Sequence, residues 1–412
     1  MKPLSIGKLL TLNSYWFGIS FMWNSLHVII LPAILLGMVS EAYKNTILGL
    51  LTMVGLIIAM IVQPLAGAVS DGWVSRWGRR RPLIGIGTAL DFLFLALLAW
   101  AGGLGWLALG YLGLQLTSNL AHGAGQGLIP DLVPAEQTGR ASAVKNLIDM
   151  SGLIVSSLLV GRLLAPGTQH PVTPVSVIAG VLAAVTLLTL LGVHEAPALK
   201  SGERAKLRQA LKAFFASVPL ALEGRFGRVV LSRFLFLVGV YGIQVFAQYY
   251  VQDVLGAENP IKLTGDLLAA ITLSLVAFAV AGGWLGDRIG HRRVQFIASS
   301  IGVVGCLLLL WARTPALLLV FGAVLGIGIG LFLTSNWALA IQHAPLEEAG
   351  KYMGLTNLAT AGAGALSRLQ GPMIDGLNAA RPGAWWGYMA LFLVGALGIA
   401  VSAWVLYRIK SD

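Results

Sequence analysis

The sequence has few charged residues for its length. Only 11% of its 412 residues are Asp, Glu, Lys or Arg, whereas 57% are hydrophobic. A soluble domain carries roughly 25% charged residues, so water alone would not solvate this chain as a globule. The composition therefore predicts a protein whose solvent is largely the lipid bilayer.

Cysteine is almost absent as well. The single cysteine, Cys306, excludes an internal disulfide framework and a cysteine-ligated metal cluster. The sequence also lacks a phosphate-binding loop, a nucleophile elbow and a cluster of metal ligands. We therefore expect neither an enzyme nor an ATP-driven pump, and we expect no cofactor and no metal ion.

Long apolar runs are what the sequence has instead. A membrane-spanning helix needs about 20 mostly apolar residues, and we place twelve such spans. Spans 1 to 12 cover residues 11–37, 46–69, 82–101, 105–129, 140–164, 172–193, 230–254, 264–285, 294–312, 316–341, 351–376 and 385–407. Span 1 has no small-residue cleavage site, so we expect it to be retained. Helices satisfy their own backbone groups in lipid, so the fold class is an all-α membrane protein.

Lysine and arginine favour one set of loops. Apart from the longest connection, that set carries Lys2, Lys8, Arg76, Arg79, Arg80, Arg81, Arg140, Lys145, Arg288, Arg292, Arg293, Lys351, Arg408 and Lys410. The other set carries Lys44, Arg162, Lys262, Arg313 and Arg381. Positive loops stay inside, so we expect both termini on the cytoplasmic side of the plasma (inner) membrane. The net charge of +11 lies between apolar runs, so we expect no nucleic-acid partner.

One connection is much longer than the others. Residues 195–228 are basic, and their apolar and basic side chains fall mostly on opposite faces of a helix. This pattern predicts an amphipathic helix that lies on the inner leaflet. The expected organisation is an N-terminal six-helix bundle over 1–194, this linker over 195–228, and a C-terminal six-helix bundle over 229–412.

The two halves of the sequence repeat each other. VPAEQTGRASAVKNLID at 133–149 matches APLEEAGKYMGLTNLAT at 344–360 at a constant offset of 211. GAVSDGWVSRWGRRR at 67–81 likewise echoes GGWLGDRIGHRR at 282–293. Two such repeats predict a duplicated unit, and hence two pseudo-symmetric six-helix bundles that move about a central site.

The second pair of loops resembles the signature loop of the major facilitator superfamily, Gly-x-x-x-Asp-Arg-x-Gly-Arg-Arg. The later copy fits closely, with the motif positions held by Gly283, Asp287, Arg288, Gly290 and Arg292. The earlier copy is longer, since Gly72 follows Asp71 and extra residues precede RWGRRRP. In this it resembles the sucrose transporters and the glycoside–pentoside–hexuronide symporters. The resemblance implies a transporter that exposes a small molecule alternately to the two sides of the membrane.

The same loops supply candidate gate residues. Asp71 and Asp287 end helices, where a carboxylate can accept hydrogen bonds from arginines or from a facing helix N-terminus. We expect the gate to consist of Asp71, Arg76, Arg79, Arg80, Asp287, Arg288 and Arg292. The alternative for the arginines is that they only fix the orientation of the loops.

Polar residues inside the spans are candidates for function. Gln115, Asn119, His122 and Gln126 share one face of span 4, and shorter polar stripes occur in spans 1, 7 and 10. In the family that the loops resemble, these four spans line the central cavity. The candidate substrate-binding residues are Asn24, His27, Asn119, His122, Gln126, Gln244, Gln248, Asn336, Trp337, Asn357 and Arg368.

Amides and aromatic rings dominate this set. Amides match hydroxyl groups as donors and acceptors, and aromatic faces pack on apolar ring surfaces. The set therefore favours a neutral polyhydroxylated solute over a phosphate ester. The alternative is hydrogen bonding between helices, which is common in membrane bundles.

Three ionisable residues are candidates for proton coupling, namely Asp149, Lys145 and Asp91. Asp149 lies near the middle of span 5, with Lys145 one turn before it on the same face. A carboxylate there can load and release a proton as its surroundings alternate between wet and dry. The alternatives are a permanent Asp149–Lys145 ion pair, or a structural role for Asp91.

These observations together predict a proton-coupled symporter of a sugar or a similar neutral solute, acting as a monomer. The first alternative is a proton-coupled exporter of drugs or metabolites, because a large cavity with aromatic walls would serve that too. Na+ is the alternative coupling ion. A membrane-embedded enzyme or a non-transporting receptor is the alternative from another class.

Overall fold

The computed structural model describes residues 3–198, 224–344 and 349–407, and this part of the chain is built from helices. An isolated β-bridge joins Ser75 to Ala198. The amphipathic helix expected in the linker falls mainly on residues 199–223, outside the described ranges.

The helices follow the expected spans, with shifts of a few residues at their ends. Spans 1 to 6 are Ile6–Leu35, Lys44–Asp71, Arg81–Ala99, Leu104–Gly125, Thr138–Leu163 and Val172–Gly192. Spans 7 to 10 and span 12 are Gly224–Asp253, Pro260–Ile289, His291–Leu309, Pro315–His343 and Trp386–Tyr407. Short helices at Glu41–Tyr43, Leu128–Leu132 and Ala135–Gln137 lie in the connections.

Side-chain caps fix where several spans begin. Ser5, Asn259 and Thr314 each accept a hydrogen bond from a backbone N–H in the first turn of spans 1, 8 and 10. Such caps satisfy donors that have no partner inside the helix. Spans 8 and 10 also start with a proline, where its missing N–H leaves no hydrogen bond unmade.

Span 11 is not the single helix expected over 351–376. It forms Ala349–Ser367 and Gln370–Ala380, with a turn between them. The backbones of spans 2 and 11 touch at this turn. A Cβ added to Gly49 would lie 2.3 Å from the Arg368 carbonyl oxygen, and one added to Gly371 would lie 2.3 Å from the Asn45 carbonyl oxygen. This close approach therefore depends on glycine at both positions, since any side chain would force the helices apart.

Ten of the described helices are long and apolar enough to cross a membrane. Spans 4 and 11 are not among them. Span 4 contains the polar stripe, which lowers its mean hydropathy, and the first helix of span 11, Ala349–Ser367, is long enough but rich in glycine and polar residues. Both exceptions mark helices whose polar groups need protein or water rather than lipid as surroundings.

The contacts divide the chain into two units. The first contains Met1–Met38 and Val54–Leu211, and the second contains Val39–Met53 and Lys212–Asp412. In the first unit, span 1 packs against spans 5 and 6, and span 3 packs against span 4. In the second unit, span 10 packs against spans 8 and 9, and span 7 packs against spans 11 and 12. The start of span 2 thus groups with the second unit, whereas the sequence assigned it to the N-terminal bundle.

Candidate functional site

A series of hydrogen bonds runs through the first unit along the polar stripe of span 4. Gln126 donates to Gln63 at 3.4 Å, and Gln63 donates to Asn119 at 2.6 Å. Asn119 donates to Gln115 at 2.9 Å, and Gln115 donates to the phenol oxygen of Tyr111 at 2.7 Å. That oxygen lies 2.8 Å from Nε2 of His27. We call these six residues, from Gln126 to His27, the polar chain.

The four hydrogen bonds donated by amides in this chain point in one direction. Because the Tyr111 oxygen accepts from Gln115, its O–H is available to donate to the His27 nitrogen. The polar chain therefore joins side chains of spans 1, 2 and 4, and it leads from amides to a titratable imidazole. Gln63 and Tyr111 are members that the sequence did not identify. Tyr111 lies one turn before Gln115, so extending the stripe by four residues would have found it.

His27 lies in an irregular turn of span 1. Ser25–Ile30 form a π-helix inside a span that is otherwise α-helical, and such turns often occur at functional sites. The imidazole stacks on the ring of Trp23 with centroids 5.1 Å apart, and it meets Tyr111 edge-on at 5.7 Å. The polar chain thus ends at an aromatic wall, which is formed by the rings of Trp23 and Tyr111.

Asn24 lies one turn away but makes different contacts. Its Nδ2 lies 2.8 Å and 2.9 Å from the hydroxyl oxygens of Ser156 and Ser157 in span 5. The residue is buried, and its amide joins span 1 to span 5. These contacts match the alternative of hydrogen bonding between helices.

Asp149 and Lys145 do not form the ion pair that their spacing allows. Ser20 of span 1 donates a hydrogen bond to Asp149. The Lys145 ammonium lies instead over the ring of Trp16, 4.0 Å from its centroid. The candidate His122 meets the edge of the same ring at 4.9 Å. Asp149 is therefore a half-buried carboxylate whose partner among the described residues is a neutral hydroxyl.

Asp91 is fully buried in span 3. Thr117 of span 4 donates to one of its oxygens at 2.5 Å, and the other oxygen has no hydrogen-bond partner in the described part of the chain. The carboxyl also lies within electrostatic reach of Tyr15. Because Asp91 is shielded from solvent, the half-buried Asp149 is better placed to exchange protons with water.

Arg80, in the loop between spans 2 and 3, binds two acidic side chains. Its Nη2 lies 2.6 Å from Asp71 and its Nε lies 2.8 Å from Asp131, while Arg79 lies 3.5 Å from Asp131. Burial lowers the pKa of Arg80, but the hydrogen bond to Asp131 and the charges of both acids outweigh it, so the pKa is raised. Arg76 is exposed. The sequence did not identify Asp131, which follows span 4 and reaches Arg80 only through the fold.

Glu195 holds the start of span 3 in place. It follows span 6, and its carboxylate accepts hydrogen bonds from the backbone N–H groups of Arg80 at 3.1 Å and Arg81 at 2.8 Å. A carboxylate at a helix N-terminus is favoured by these donors and by the helix dipole. The bridge between Ser75 and Ala198 extends this contact. The loop of Asp71 and Arg80 is therefore fixed to the end of span 6.

The matching loop of the second unit uses other partners. Asp287 lies 3.6 Å from Nε2 of His291, one turn along. Arg288 stacks on Trp284 at 3.8 Å, and Arg292 donates to the Tyr407 carbonyl oxygen at 2.9 Å. The two loops share a sequence motif, but an arginine binds the acid in the first and a histidine lies beside it in the second.

The second unit contains a buried arginine, Arg233, that is not among the candidates predicted from the sequence. Arg233 lies in span 7, and its Nε donates to the Thr360 hydroxyl of span 11 at 2.8 Å. Its Nη1 donates to the side-chain oxygen of the candidate Asn336 in span 10 at 3.3 Å. The candidate Trp337 lies beside it, with its ring centroid 5.8 Å from the guanidinium carbon. The sequence signal was an arginine within the apolar run of 230–254.

The other candidates of the second unit are spread over two spans. Gln248 is fully buried, Gln244 is half-buried, and the side chain of Asn357 is exposed. Arg368 is buried at the turn of span 11, where it donates to the Gly364 carbonyl oxygen. Asp375 of span 11 accepts hydrogen bonds from the Asn45 side chain at 2.8 Å and the Thr46 backbone N–H at 2.7 Å. These contacts fasten the start of span 2 to span 11.

The sequence model of the Major Facilitator Superfamily matches residues 14–367. The chain belongs to this superfamily. It is therefore a transporter rather than an enzyme, and a multi-pass integral membrane protein. Its fold of two pseudo-symmetric six-helix bundles, predicted from the repeats, is confirmed by solved superfamily structures that it resembles.

Two curated relatives match most of the chain. It is 25% identical to the multidrug resistance protein MdtG of Serratia proteamaculans (strain 568), over 95% of this chain and 93% of that protein. It is 24% identical to the multi-drug resistance efflux pump PmrA of Streptococcus pneumoniae serotype 4, over 86% of this chain and 84% of that protein.

Solved structures of three superfamily transporters resemble the fold. The nucleoside transporter NupG has a TM-score of 0.74 at 15% identity, covering 99% of this chain and 100% of that one. A bacterial homologue of the human lysosomal transporter Spinster has 0.73 at 14%, covering 98% of each chain. The D-xylose-proton symporter has 0.69 at 18%, covering 98% of this chain and 97% of that one. At these identities the likeness establishes the fold and not the solute.

Proposed function

We propose that this superfamily transporter moves a small organic solute outward in exchange for protons. The direction is taken from the two relatives described above, which match over most of their length, because both are named as resistance or efflux proteins. The protein acts as a monomer in the plasma (inner) membrane. Both termini lie in the cytoplasm, as the distribution of lysine and arginine predicts.

The polar chain is the observation that carries this proposal. It offers one solute the amide groups of Gln115, Asn119 and Gln126, together with the aromatic wall of Trp23 and Tyr111. Rings pack on apolar parts of a ligand, while amides donate to and accept from its polar groups. A site with both kinds of surface suits amphipathic organic molecules.

Proton coupling is proposed to reside in Asp149. Its carboxylate is half-buried and binds the neutral Ser20 hydroxyl instead of the Lys145 ammonium. A cationic partner favours the charged form of a carboxylate and so opposes its protonation, and none of the described residues forms an ion pair with Asp149. His27, at the end of the polar chain, is a second titratable group of the first unit.

A second candidate function is proton-driven import of a sugar or a similar neutral solute. The amide-rich polar chain favours it, because amides match the hydroxyl groups of such solutes. The long loop between spans 2 and 3, which resembles that of sugar symporters, points the same way.

Transport by the purified protein in liposomes separates the two candidates. A panel of labelled sugars, nucleosides and amphipathic drugs is tested with a pH gradient of either sign. We expect amphipathic compounds to accumulate in the more acidic compartment, as exchange with protons requires. Accumulation of a sugar in the more alkaline compartment would establish import instead, and no gradient-driven movement of any compound would contradict both.

A further inference from the structure

Arg233 is a charged side chain held deep inside the second unit. It lies in the third turn of span 7 and is 8% exposed. Its side chain reaches spans 10 and 11, where it binds the Asn336 oxygen and the Thr360 hydroxyl. Three spans therefore fix one guanidinium group in position.

The partners of this arginine are all neutral. Its hydrogen bonds go to a hydroxyl and an amide oxygen, and the adjacent ring is that of Trp337. No carboxylate of the described residues forms an ion pair with it. The contacts use two of the five N–H donors of the guanidinium. Burying a charge with neutral partners alone is costly, so an anion entering this site would gain from a positive charge that no described carboxylate neutralises in an ion pair.

A second arginine adds to this field. The phenol of Tyr241, two turns after Arg233 in span 7, interacts electrostatically with both Arg233 and Arg368. Two positive side chains from spans 7 and 11 thus act on one region of the second unit. Ionisable residues inside membrane spans commonly mark the path of a substrate or an ion.

We propose that Arg233 binds an anionic group, such as a carboxylate, of the transported solute, while Trp337 packs against the apolar body of that solute. This inference rests on the proposed transport function and narrows its substrates to organic anions. It also revises the neutral solute favoured by the sequence, which rested on amides and did not include Arg233.

The geometry fits this role. A guanidinium can present two parallel N–H donors to the two oxygens of a carboxylate, and hydrogen bonds to Thr360 and Asn336 fix the position of this one. The ring of Trp337 is 38% exposed, so it offers an open aromatic surface next to the buried charge. An aromatic or aliphatic acid would satisfy both features at once.

Equilibrium binding to the purified, full-length protein tests the proposal without any gradient. The probes are matched pairs of an acid and its amide, namely dansyl-glycine and dansyl-glycinamide, and indole-3-acetate and indole-3-acetamide. In the unmodified protein, we expect the acid of a pair to bind about tenfold more tightly than its amide, as a charge-assisted hydrogen bond predicts. Equal affinity in every pair, or no binding of either acid, would overturn the proposal.

Variants assign that preference to one side chain. Arg233→Gln removes the charge but keeps groups that can bind Thr360 and Asn336, and it should reduce the acid-to-amide ratio to about one. Arg233→Lys keeps the charge without the paired donors and should give an intermediate ratio. The matched control is Arg381→Gln, since Arg381 also stacks on a tryptophan, with its guanidinium 4.8 Å from the Trp386 centroid. A full preference retained in Arg233→Gln would contradict the proposal.

The outcome is separable from that of the proposed function. Proton-driven transport of amides as fast as of acids would leave the transport function standing and remove the role of Arg233. Preferential binding of acids by a protein that moves no solute would support the role of Arg233 and contradict the transport function. If Arg233→Gln does not fold, the ratio measured in the unmodified protein and in Arg233→Lys still decides.

Discussion

Lys44, at the start of span 2, binds Asp253, at the end of span 7, with 2.7 Å between Nζ and Oδ1. Both side chains are almost completely buried, with 4% and 8% of their surface exposed. Lys44 also contacts Glu41 at 2.6 Å, but 70% of the Glu41 side chain is exposed. The phenol of Tyr388 donates to the second Asp253 oxygen at 2.6 Å. One lysine therefore has a buried acid and an exposed acid as partners.

This difference predicts unequal effects of two similar substitutions. Asp253→Asn leaves Lys44 buried without its main counter-charge and should reduce stability by about 3–5 kcal/mol. Glu41→Gln removes an exposed partner and should cost about 0–1 kcal/mol. Melting of the two purified variants, followed by intrinsic fluorescence, makes the comparison. Equal melting temperatures would show that the buried pair does not hold the start of span 2.

A second pair of variants tests the polar chain. Asn119→Leu removes the link between Gln115 and Gln63, and it should weaken solute binding by about 0.5–1.5 kcal/mol, or more if an amide is left without a partner. Asn24→Leu is the control, because Asn24 binds Ser156 and Ser157 between helices. We expect it to lower the melting temperature and leave the affinity unchanged. Unchanged affinity in Asn119→Leu would reduce the polar chain to helix packing.

The sequence predicted the spans and the polar stripe because the spans depend on runs of apolar residues and the stripe on helical spacing, and both are local. Gln115, Asn119 and Gln126 follow from their spacing on one helix. Gln63 does not, since it lies in span 2 and reaches Asn119 only after the helices pack. The contacts of Asp149 depend on packing for the same reason: helical spacing left an ion pair with Lys145 as the alternative, but packing brings Ser20 to the carboxylate and Trp16 to the lysine.

The gate residues give a third prediction. Asp71→Asn removes one of the two acids on Arg80, which lies 2.6 Å from Asp71 and 2.8 Å from Asp131. If this contact stabilises one of two states that differ by a few kcal/mol, its loss redistributes them. We expect Asp71→Asn, and likewise Asp287→Asn, to increase the population open to the cytoplasm at unchanged expression. Distances between spin labels on the cytoplasmic loops, measured by double electron–electron resonance, report this population. Unchanged distances would show that neither acid belongs to the gate.

The fourth prediction separates proton coupling from solute movement. Asp149→Asn should abolish uphill transport driven by a pH gradient. It should keep the exchange of labelled for unlabelled solute across the membrane, because that exchange needs no net proton movement. Lys145→Gln is the control. Since Lys145 does not bind Asp149, this change should leave coupling intact. Gradient-driven transport that survives in a folded Asp149→Asn variant would move the coupling role to His27, Asp91 or His122.

Simultaneous recording of solute and proton movement tests the central claim most directly. Liposomes that contain the purified protein and an internal pH-sensitive dye receive an outward or inward solute gradient, with no initial pH difference. The account predicts that solute leaving a compartment acidifies it, that the two fluxes keep a fixed ratio, and that Asp149→Asn shows neither proton movement nor uphill transport. Solute movement by the unmodified protein without any change in internal pH would contradict it.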